Sequence, residues 1–531
     1  MKLARLMPQL GIGFSTYCFI SAVQAGIPVW SFTPNINHPP TATVLSTSTV
    51  EVQYTVSNNS RKPHNLIIKP QTGVSQNGPC LLGPKGSANS TCLLSLTING
   101  NALPAGGLFG GPALCQTNSN GTPNLNECFS PSKADSLAIT VMQNLSASTT
   151  NLALSIKGLT LNGRPSGQPR VITITNNGDA PTTELSINYP TWPTGTTVDT
   201  TSSSACTNGK VLAAGASCTI TVVPGSTATS GAGNAACTTG IAPIPGVISI
   251  TANNILQTTI NVEVLGYGCI YQGGFIYAMT ETANSSQSIG GKVVALTDQE
   301  PVHPGIIYSS NGGTGHGGPV WDAEDVSNDV IPGIDNTSTP LSPSPTFSEL
   351  QTTFAATYTN PNPFTASSFR ACQGNADGQC NTENILKFYN TFITHYDTSG
   401  TPPFTATPGP TPLTYYAAGL CAQTINGYAD WYLPAICEMG PTYIPNNAGC
   451  IAGTQNIIDA LPALIGVSAA ADPSTSCALG ANCLAGLYHS STEDSVSKQN
   501  NSWSQLFDSG ANAQGPGVKY YLYGVRCSRA F

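Results

Sequence analysis

Cysteine is the residue whose number and spacing carry the most chemistry in this sequence. The 531 residues include 17 cysteines, whereas only 8% of the residues are charged, against roughly 25% in an ordinary soluble domain. Cys18 lies inside a segment with the features of an export signal, and every other cysteine follows it. An even set in an exported chain predicts a disulfide framework, because thiols oxidise outside the cytoplasm.

The N-terminal residues have the composition of a signal peptide. Two basic side chains precede a mostly apolar stretch at 10–23, and small residues occupy the cleavage positions at 23–25. We therefore predict a signal peptide at residues 1–25 and a mature chain that begins at Gly26. No later apolar run is long enough to cross a bilayer. The sequence thus predicts a secreted or extracellular cell-surface protein without a transmembrane segment.

Four oxygen-bearing side chains alternate within nine residues of the chain. They are Asn375, Asp377, Asn381 and Glu383. Such spacing around a glycine is typical of loops that bind hard cations, so these residues are a candidate calcium site. The alternative is a turn that a disulfide between Cys372 and Cys380 closes without any metal. An acidic run at 322–329 is a second candidate of the same kind.

The sequence lacks the motifs of several common enzyme classes. It contains no His-Glu-x-x-His zinc motif, no Gly-x-Ser-x-Gly nucleophile elbow and no phosphate-binding loop. The histidines at 303, 316, 395 and 489 are scattered, which favours ordinary polar roles. We therefore predict that the protein is not an enzyme, with no catalytic residues and no cofactor apart from the calcium candidate.

An internal repeat organises the first half of the chain. In each copy an alternating strand leads into an Asn-Asn turn, at 58–59 and at 176–177, and two cysteines twelve positions apart follow. The pairs are Cys80 with Cys92, and Cys206 with Cys218. A strand, a turn and a disulfide-closed hairpin explain the repeat, whose alternative is chance similarity between β-rich segments. The copies resemble the immunoglobulin-like modules of bacterial surface proteins, which implies β-sandwiches at 26–145 and 146–265.

The second half of the chain is acidic and carries three ordered motifs. Residues 26–265 contain nine basic and seven acidic side chains, whereas 266–531 contain seven and nineteen. The motifs are Asp430-Trp431-Tyr432-Leu433-Pro434 with Glu438 after it, the segment from Tyr488 to Glu493, and Val525-Arg526-Cys527. The change in charge predicts a separate domain at 266–531.

In this order the three motifs resemble the Lcl C-terminal domain family, named for part of a bacterial collagen-like adhesin. The resemblance covers roughly residues 267–531, about half the chain. It implies an α+β domain similar to C-type-lectin-like and formylglycine-generating-enzyme-like domains, placed after two all-β sandwiches. Two features depart from the family: His489 stands where the family has Trp, and the collagen-like stalk is absent.

The resemblance implies attachment to a carbohydrate or host-surface ligand, with sulfated glycosaminoglycans as the first class to consider. The candidate binding residues are Asp430, Trp431, Glu438, His489, Trp503, Arg526 and Arg529. The acidic charge opposes a sulfated ligand unless Lys498, Lys519, Arg526 and Arg529 form a local basic patch. The alternative is structural: the aromatic side chains are buried, and the carboxylates bind turn backbone or pair with Arg526. Cys437 and Cys527 are predicted to be disulfide halves with partners left open.

Two functions therefore remain in competition. The first is a secreted or cell-surface, non-enzymatic, adhesin-like protein whose C-terminal domain binds a glycan or host ligand. The second is a secreted structural or matrix protein without a defined small ligand. We predict no nucleic-acid partner, and the sequence leaves a homo-oligomer open.

Overall fold

The computed structural model describes residues 28–104, 106–161, 164–308, 331–340, 369–394, 413–443, 445–470, 475–479, 482–498 and 500–531. The predicted signal peptide, the acidic run at 322–329 and the histidines at 316 and 395 lie outside these ranges. Strands far outnumber helices in the described part, so the prediction of a mostly β chain is confirmed. The chain divides into two compact units, the first comprising Met1–Asn144, Asn177–Pro181 and Asn254–Leu256, and the second the remainder.

The first unit is a β-sandwich. Its strands are β1 (Trp30–Pro34), β2 (Thr41–Leu45), β3 (Thr49–Asn58), β4 (His64–Ile68), β5 (Val74–Gln76), β6 (Cys80–Leu82), β7 (Thr91–Asn99), β8 (Leu108–Phe109), β9 (Leu114–Thr117), β10 (Pro123–Phe129) and β11 (Ala138–Met142). They form sheets ordered β1-β3-β7-β5, β10-β9-β4-β6 and β2-β11-β8. All three sheets contribute to one apolar core, for example through Tyr54, Leu66 and Ile139.

Alternation along the strands explains this core. In β3, Val52, Tyr54 and Val56 are buried while the residues between them are more exposed. A strand places successive side chains on opposite faces, so this pattern covers one face of the sheet. The disulfide between Cys80 and Cys92 ties β6 to β7, which belong to different sheets.

The second unit begins with a similar strand arrangement. Its first strands are β12 (Leu145–Ala147), β13 (Asn151–Ser155), β14 (Thr160–Leu161), β15 (Arg164–Pro165), β16 (Arg170–Asn176), β17 (Ser186–Asn188), β18 (Thr197–Asp199), β19 (Ser217–Val223), β20 (Gly246–Thr251) and β21 (Thr258–Leu265). The larger sheets are β12-β16-β19-β18 and β13-β21-β20-β17. In both copies of the repeat an early strand pairs in parallel with the last one, β2 with β11 and β13 with β21.

Residues 266–531 combine two sheets with short helices. The strands are β22 (Ile270–Tyr271), β23 (Gly274–Thr280), β24 (Gly290–Ala295), β25 (Trp431–Tyr432), β26 (Gly486–Glu493), β27 (Asn501–Phe507), β28 (Ala513–Val518) and β29 (Ser528–Ala530). The helices are α1 (Gly378–Thr394), α2 (Ala417–Cys421), α3 (Ile436–Met439) and α4 (Ile457–Ala460). The sheets are ordered β22-β23-β24-β29-β25 and β26-β27-β28. No helix in the described part of the chain has the length and apolarity that a membrane crossing requires.

All the cysteines after Cys18 are paired in disulfides, so the predicted framework is present. The eight bonds are Cys80–Cys92, Cys115–Cys128, Cys206–Cys218, Cys237–Cys269, Cys372–Cys380, Cys421–Cys527, Cys437–Cys450 and Cys477–Cys483. Two of them are the pairs that the repeat predicts. The partners that the sequence left open are Cys450 for Cys437 and Cys421 for Cys527.

A buried ion pair joins the second sandwich to residues 266–531. Arg170 on β16 pairs with Glu281, and the two side chains are only 1% and 2% exposed. Arg170 also donates to the Thr282 hydroxyl at 2.7 Å, and Glu281 accepts from the backbone N–H of Gly167 at 3.1 Å. Together with the Cys237–Cys269 bond, these contacts explain why both segments belong to one compact unit.

We predict that Glu281→Gln destabilises the second unit by about 3–5 kcal/mol, because it leaves the Arg170 guanidinium buried without its counter-ion. The matched control is Glu383→Gln, which breaks an ion pair with Arg370 in which both side chains are largely exposed. That change is expected to cost at most about 1 kcal/mol. Guanidinium unfolding curves measure both values, and equal losses in the two variants would contradict the prediction.

Candidate functional site

The structure separates the seven predicted binding residues into buried and exposed side chains. Asp430 is exposed, with 55% of its side chain accessible. The buried residues are Trp431, Glu438, His489, Trp503, Arg526 and Arg529. Their contacts distinguish side chains that hold the fold together from those that can reach a ligand.

Both tryptophans are core residues. Trp431 packs in the largest apolar cluster of the second unit, and its indole N–H donates to the Ile425 carbonyl oxygen at 2.9 Å. Trp503 packs against Ile436 and Cys437 in a smaller cluster. Large apolar rings gain most of their energy by such burial, so these two residues stabilise the domain.

Glu438 is the centre of a buried polar network. Its carboxylate accepts from the Lys292 ammonium, from the Tyr432 hydroxyl at 3.1 Å, and from the backbone N–H groups of Ala435 and Gly378 at 2.8 and 3.2 Å. Burial opposes the charge of Lys292, but the carboxylate outweighs that effect and raises the pKa of Lys292 above its usual value. Glu438 therefore binds turn backbone, which is the structural role that the sequence offered as the alternative to ligand binding.

His489 is enclosed by backbone and aromatic rings. Its Nε2 lies 2.8 Å from the Ile306 carbonyl oxygen and donates to it. The rings of Tyr523 and Tyr308 lie 4.9 and 5.9 Å from the imidazole. Because burial disfavours the charged form, the pKa of His489 is lowered from 6.5 to about 4. The imidazole is therefore neutral at physiological pH.

The four cations considered for a basic patch do not form one. Arg526 is 2% exposed and pairs with Asp298 at 2.6 Å. Lys519 is completely buried against Glu493 at 2.6 Å, and Lys498 pairs with Asp335 at 3.0 Å. Arg529 pairs with Asp430. In each case a carboxylate neutralises the positive charge.

The four residues of the calcium candidate have separate partners. The Asp377 carboxylate accepts from the Cys380 N–H at 3.0 Å at the start of α1, and Glu383 pairs with Arg370. The amide groups of Asn375 and Asn381 donate to backbone oxygens of Gly449 and Gly374 respectively. The described residues include no group of three His, Cys, Asp or Glu that could hold a metal ion. The disulfide-closed turn is the arrangement found.

Arg529 has a side chain that is only 10% exposed, and it lies among partly exposed residues that form a surface, which we call the Arg529 surface. It consists of Tyr271, Gln272, Asn426, Tyr428, Asp430, Arg529 and Phe531. Strand β29 pairs with β25, so that Arg529 lies opposite Trp431. The core tryptophan thus sits behind the surface, while its chain neighbour Asp430 belongs to the surface itself.

Two tight turns present this surface. Gln272 and Gly273 connect β22 to β23 with φ of 43° and 90°. Asn426 and Gly427 form the turn between Ile425 and Tyr428, which pair with each other in an antiparallel bridge. Their φ angles are 50° and 83°. Positive φ at both central positions is the requirement of a type I′ turn. The Asn426 amide donates to the Gly273 carbonyl oxygen at 2.9 Å, so the two turns are held together.

The Arg529 guanidinium is fixed from several sides. Its central carbon lies 4.1 Å from the centre of the Tyr428 ring. Nε donates to Asp430, and Nη1 donates to the Gln272 amide oxygen at 2.7 Å. A guanidinium that is stacked on a ring and bound by two different side chains loses little further freedom when a ligand binds.

Aromatic side chains border this guanidinium. Tyr271 and Phe531 meet edge to face at 5.1 Å, and burial raises the pKa of the Tyr271 hydroxyl. Glu263 lies close enough to influence Tyr271, and burial raises the pKa of that carboxyl to about 7. Aromatic rings with amide, carboxylate and guanidinium groups between them can cover the apolar face of a sugar and bind its hydroxyls.

The sequence prediction identified Asp430, Trp431 and Arg529 but missed the turns that surround them. Asn426-Gly427 is a strong type I′ signal and was available in the sequence. Gln272 carries no comparable signal, because a left-handed conformation is unusual for glutamine. The proximity of residues 272, 428 and 529 follows from strand pairing across the whole domain, which no local pattern reveals.

No family model matches the sequence, and no curated protein matches it either. Among solved structures, a protein of unknown function from Porphyromonas gingivalis W83 is 13% identical, with a TM-score of 0.16, over 44% of this chain and 99% of its own. A chain from the structure of Dpr2 Ig1-Ig2 in complex with DIP-Theta Ig1-Ig3 is 10% identical, with a TM-score of 0.19, over 44% of this chain and 99% of its own. Titin-A168169 is 13% identical, with a TM-score of 0.15, over 44% and 98%. These scores are too low to carry an argument.

We predict that His489 makes stability fall between pH 6.5 and pH 4. The unfolded chain takes up the proton near pH 6.5, whereas the buried imidazole does so only near pH 4. The free energy of unfolding is therefore highest above pH 6.5 and decreases as the pH falls from 6.5 to 4. At pH 4 this contribution of His489 amounts to a loss of about 3 kcal/mol. Denaturant unfolding at both pH values measures the loss, and His489→Gln is expected to lose about 3 kcal/mol less. An unchanged pH dependence in the variant would contradict the assignment.

Proposed function

We propose that this protein is a secreted or cell-surface, non-enzymatic, adhesin-like protein whose C-terminal part binds a carbohydrate at the Arg529 surface. The observation that carries this proposal is the Arg529 guanidinium, stacked on Tyr428 and held by Asp430 and Gln272. Tyrosine and arginine are the residues in which binding energy concentrates at interfaces. A site carried by turns on a disulfide-tied sheet is also typical of recognition.

The ion pairing of the basic side chains favours an uncharged glycan as the ligand of the Arg529 surface. Of the seven basic side chains in residues 266–531, all of them described, six pair with a carboxylate. The pairs are Lys292–Glu438, Arg370–Glu383, Lys498–Asp335, Lys519–Glu493, Arg526–Asp298 and Arg529–Asp430. A sulfated chain needs a positive field, which these pairs do not supply.

This proposal includes a relationship of residues 267–531 to the Lcl C-terminal domain family. It also includes an α+β fold for that part of the chain and an immunoglobulin-like fold for the two sandwiches. The first two sequence motifs contact each other, and the strand after the third motif pairs with the first, which supports the relationship. Ser491 N–H donates to the Pro434 carbonyl oxygen at 2.8 Å, and Trp431 lies opposite Arg529 in the β25–β29 pair. The eight disulfides support the extracellular location.

We predict that Tyr428→Ala weakens glycan binding on the order of ten-fold, because the variant removes the ring against which Arg529 is fixed. The assay screens the full secreted chain against neutral and sulfated glycans and then measures the Kd of the best neutral ligand. Tyr521→Ala is the matched control, since Tyr521 is an exposed tyrosine of the same part of the chain that lies outside the Arg529 surface. That control is expected to keep its affinity.

Two outcomes would decide against the proposal. Equal affinity of the two variants would remove the Arg529 surface as the site. Binding to no glycan at all would favour the structural or matrix protein, whose support is the burial of six of the seven predicted binding residues. Circular dichroism and melting temperatures of both variants ensure that altered binding is not a consequence of unfolding.

A further inference from the structure

A serine, a histidine and a glutamine of the first unit form a continuous hydrogen-bonded set. The Ser60 hydroxyl lies 2.7 Å from His64 Nε2, and His64 Nδ1 lies 2.8 Å from the Gln116 amide oxygen. Because an amide oxygen only accepts, Nδ1 carries the proton of the neutral ring, and the Nε2 lone pair accepts from the serine hydroxyl. This is the tautomer that a general base needs in order to take a proton from a serine.

The strand pattern explains how the histidine and the glutamine meet. In β4, His64 shares the inner face of the sheet with Leu66 and Ile68, which are buried in the core. Gln116 on β9 lies opposite Leu66 in the antiparallel pair, so its side chain is on that same face, diagonal to His64. The buried Trp30 ring lies 5.3 Å from the imidazole, centre to centre, and limits its movement.

The turn that carries Ser60 is held in place by backbone contacts. The Asn58 side chain accepts from the Ser60 N–H at 2.8 Å. It also donates to the carbonyl oxygens of Lys62 and Gly83, each at 2.7 Å. Lys85 N–H donates to the Ser60 carbonyl oxygen at 2.8 Å. These bonds fix the serine backbone relative to β4, so the hydroxyl stays within reach of the histidine.

A groove of about 680 Å³ adjoins this set. His64 and Gln116 both belong to its lining, whereas Ser60 is partly exposed beside it, one hydrogen bond from His64. The rest of the lining is apolar or uncharged, for example Leu81 and Asn89. No carboxylate, lysine or arginine lines the groove, which favours an uncharged acyl group as its occupant.

The backbone amide after the serine is available to bind an oxyanion. Arg61 N–H donates to no acceptor in the described part of the chain. In acyl transfer, the N–H that follows the nucleophile stabilises the negative oxygen of the tetrahedral intermediate in one large class of hydrolases. A nucleophile, a base, an orienting group and an oxyanion donor therefore lie together beside the turn that joins β3 to β4.

We propose that Ser60 is a nucleophile that takes up one acyl group from an activated carboxylic ester. His64 Nε2 accepts the hydroxyl proton while Ser60 Oγ bonds to the ester carbonyl carbon. The bond from that carbon to the leaving oxygen then breaks, and the alcohol or phenol departs with the proton. The products are a serine ester on the chain and a free alcohol or phenol, so no other reactant is consumed.

Gln116 explains why the acyl group stays on the chain. A neutral amide orients His64 but does not stabilise the imidazolium as the aspartate of a Ser-His-Asp triad does. Only esters with a good leaving group therefore react readily, and the resulting serine ester, an ordinary alkyl ester, hydrolyses far more slowly. A chain that keeps its acyl group is modified rather than catalytic, and the site is independent of the Arg529 surface.

The test incubates the full secreted chain with p-nitrophenyl acetate at neutral pH and follows the release of p-nitrophenolate. We expect a burst of about one equivalent per chain, and peptide mapping by mass spectrometry is expected to find the acetyl group on Ser60. Ser60→Ala is expected to abolish the burst, and His64→Gln to slow it on the order of 100-fold. Ser75→Ala is the matched control and is expected to keep the burst, since Ser75 is an exposed serine of the same unit whose hydroxyl donates to a backbone carbonyl.

Two substitutions test Gln116 as a positioning residue. Gln116→Glu keeps an acceptor for Nδ1 and adds a charge that stabilises the imidazolium, so acetylation is expected to be on the order of ten-fold faster. Gln116→Leu removes the acceptor and is expected to slow the reaction. A residue that only supports the fold would not give opposite effects in the two variants, and melting temperatures separate these effects from unfolding.

Several results would overturn the proposal. Absence of a burst in the parent chain, an equal burst in Ser60→Ala, or acetylation confined to lysines would remove the site. Release that continues well beyond about one equivalent per chain and is lost in Ser60→Ala would identify turnover instead of a stable ester. A slower reaction of Gln116→Glu than of Gln116→Leu would reject the orienting role of the amide oxygen. None of these measurements involves a glycan, so failure here is distinguishable from failure at the Arg529 surface.

Discussion

Residues 266–531 are organised around one buried carboxylate, that of Glu438. Two of its four donors are local, Tyr432 on β25 and Ala435 before α3. The other two come from distant segments, Lys292 on β24 and Gly378 at the start of α1. A carboxylate in a low-dielectric interior is tolerated only when its hydrogen bonds are satisfied, and each donor is then bound strongly. The same contact leaves no room for a side chain at Gly378, where a Cβ would lie 2.4 Å from the Glu438 oxygen. A single side chain thus sets the positions of two strands and two helices.

Pairing of this kind uses almost all the positive charge of residues 266–531. A chain in which 8% of the residues are charged has few cations. Most of the cations in its acidic half form ion pairs with carboxylates from other segments. Among the described residues of 266–531 only Lys387 keeps an exposed positive charge without an ion pair, so recognition at the Arg529 surface rests on shape, aromatic rings and hydrogen bonds. The described residues of the first unit form no ion pair, and alternating strands with a continuous apolar core stabilise it. Its cations therefore remain on the surface.

The parts of the fold that the sequence predicted are those encoded locally. Alternation in β3 and β16, the Asn-Asn turns and the twelve-residue cysteine spacing all lie within short segments, and the predicted pairs Cys80–Cys92 and Cys206–Cys218 are present. Burial of Arg526 was not visible, because its partner Asp298 lies 228 positions away. A motif can show that a residue is special, but a buried ion pair and a ligand contact require the same residue types. Only the three-dimensional neighbours distinguish between them.

The turn at Gln272 shows how the fold favours a pre-formed surface over local stability. A left-handed conformation costs a residue with a side chain on the order of 1–2 kcal/mol, and glycine at position 272 would avoid that cost. Glycine would also remove the amide oxygen that binds Arg529. Without it the guanidinium would keep only Asp430 and the Tyr428 ring, and a ligand would have to order it on binding. Strain at a partly exposed turn that orients one arginine is difficult to explain by stability alone. It is expected where the orientation of that arginine matters for recognition.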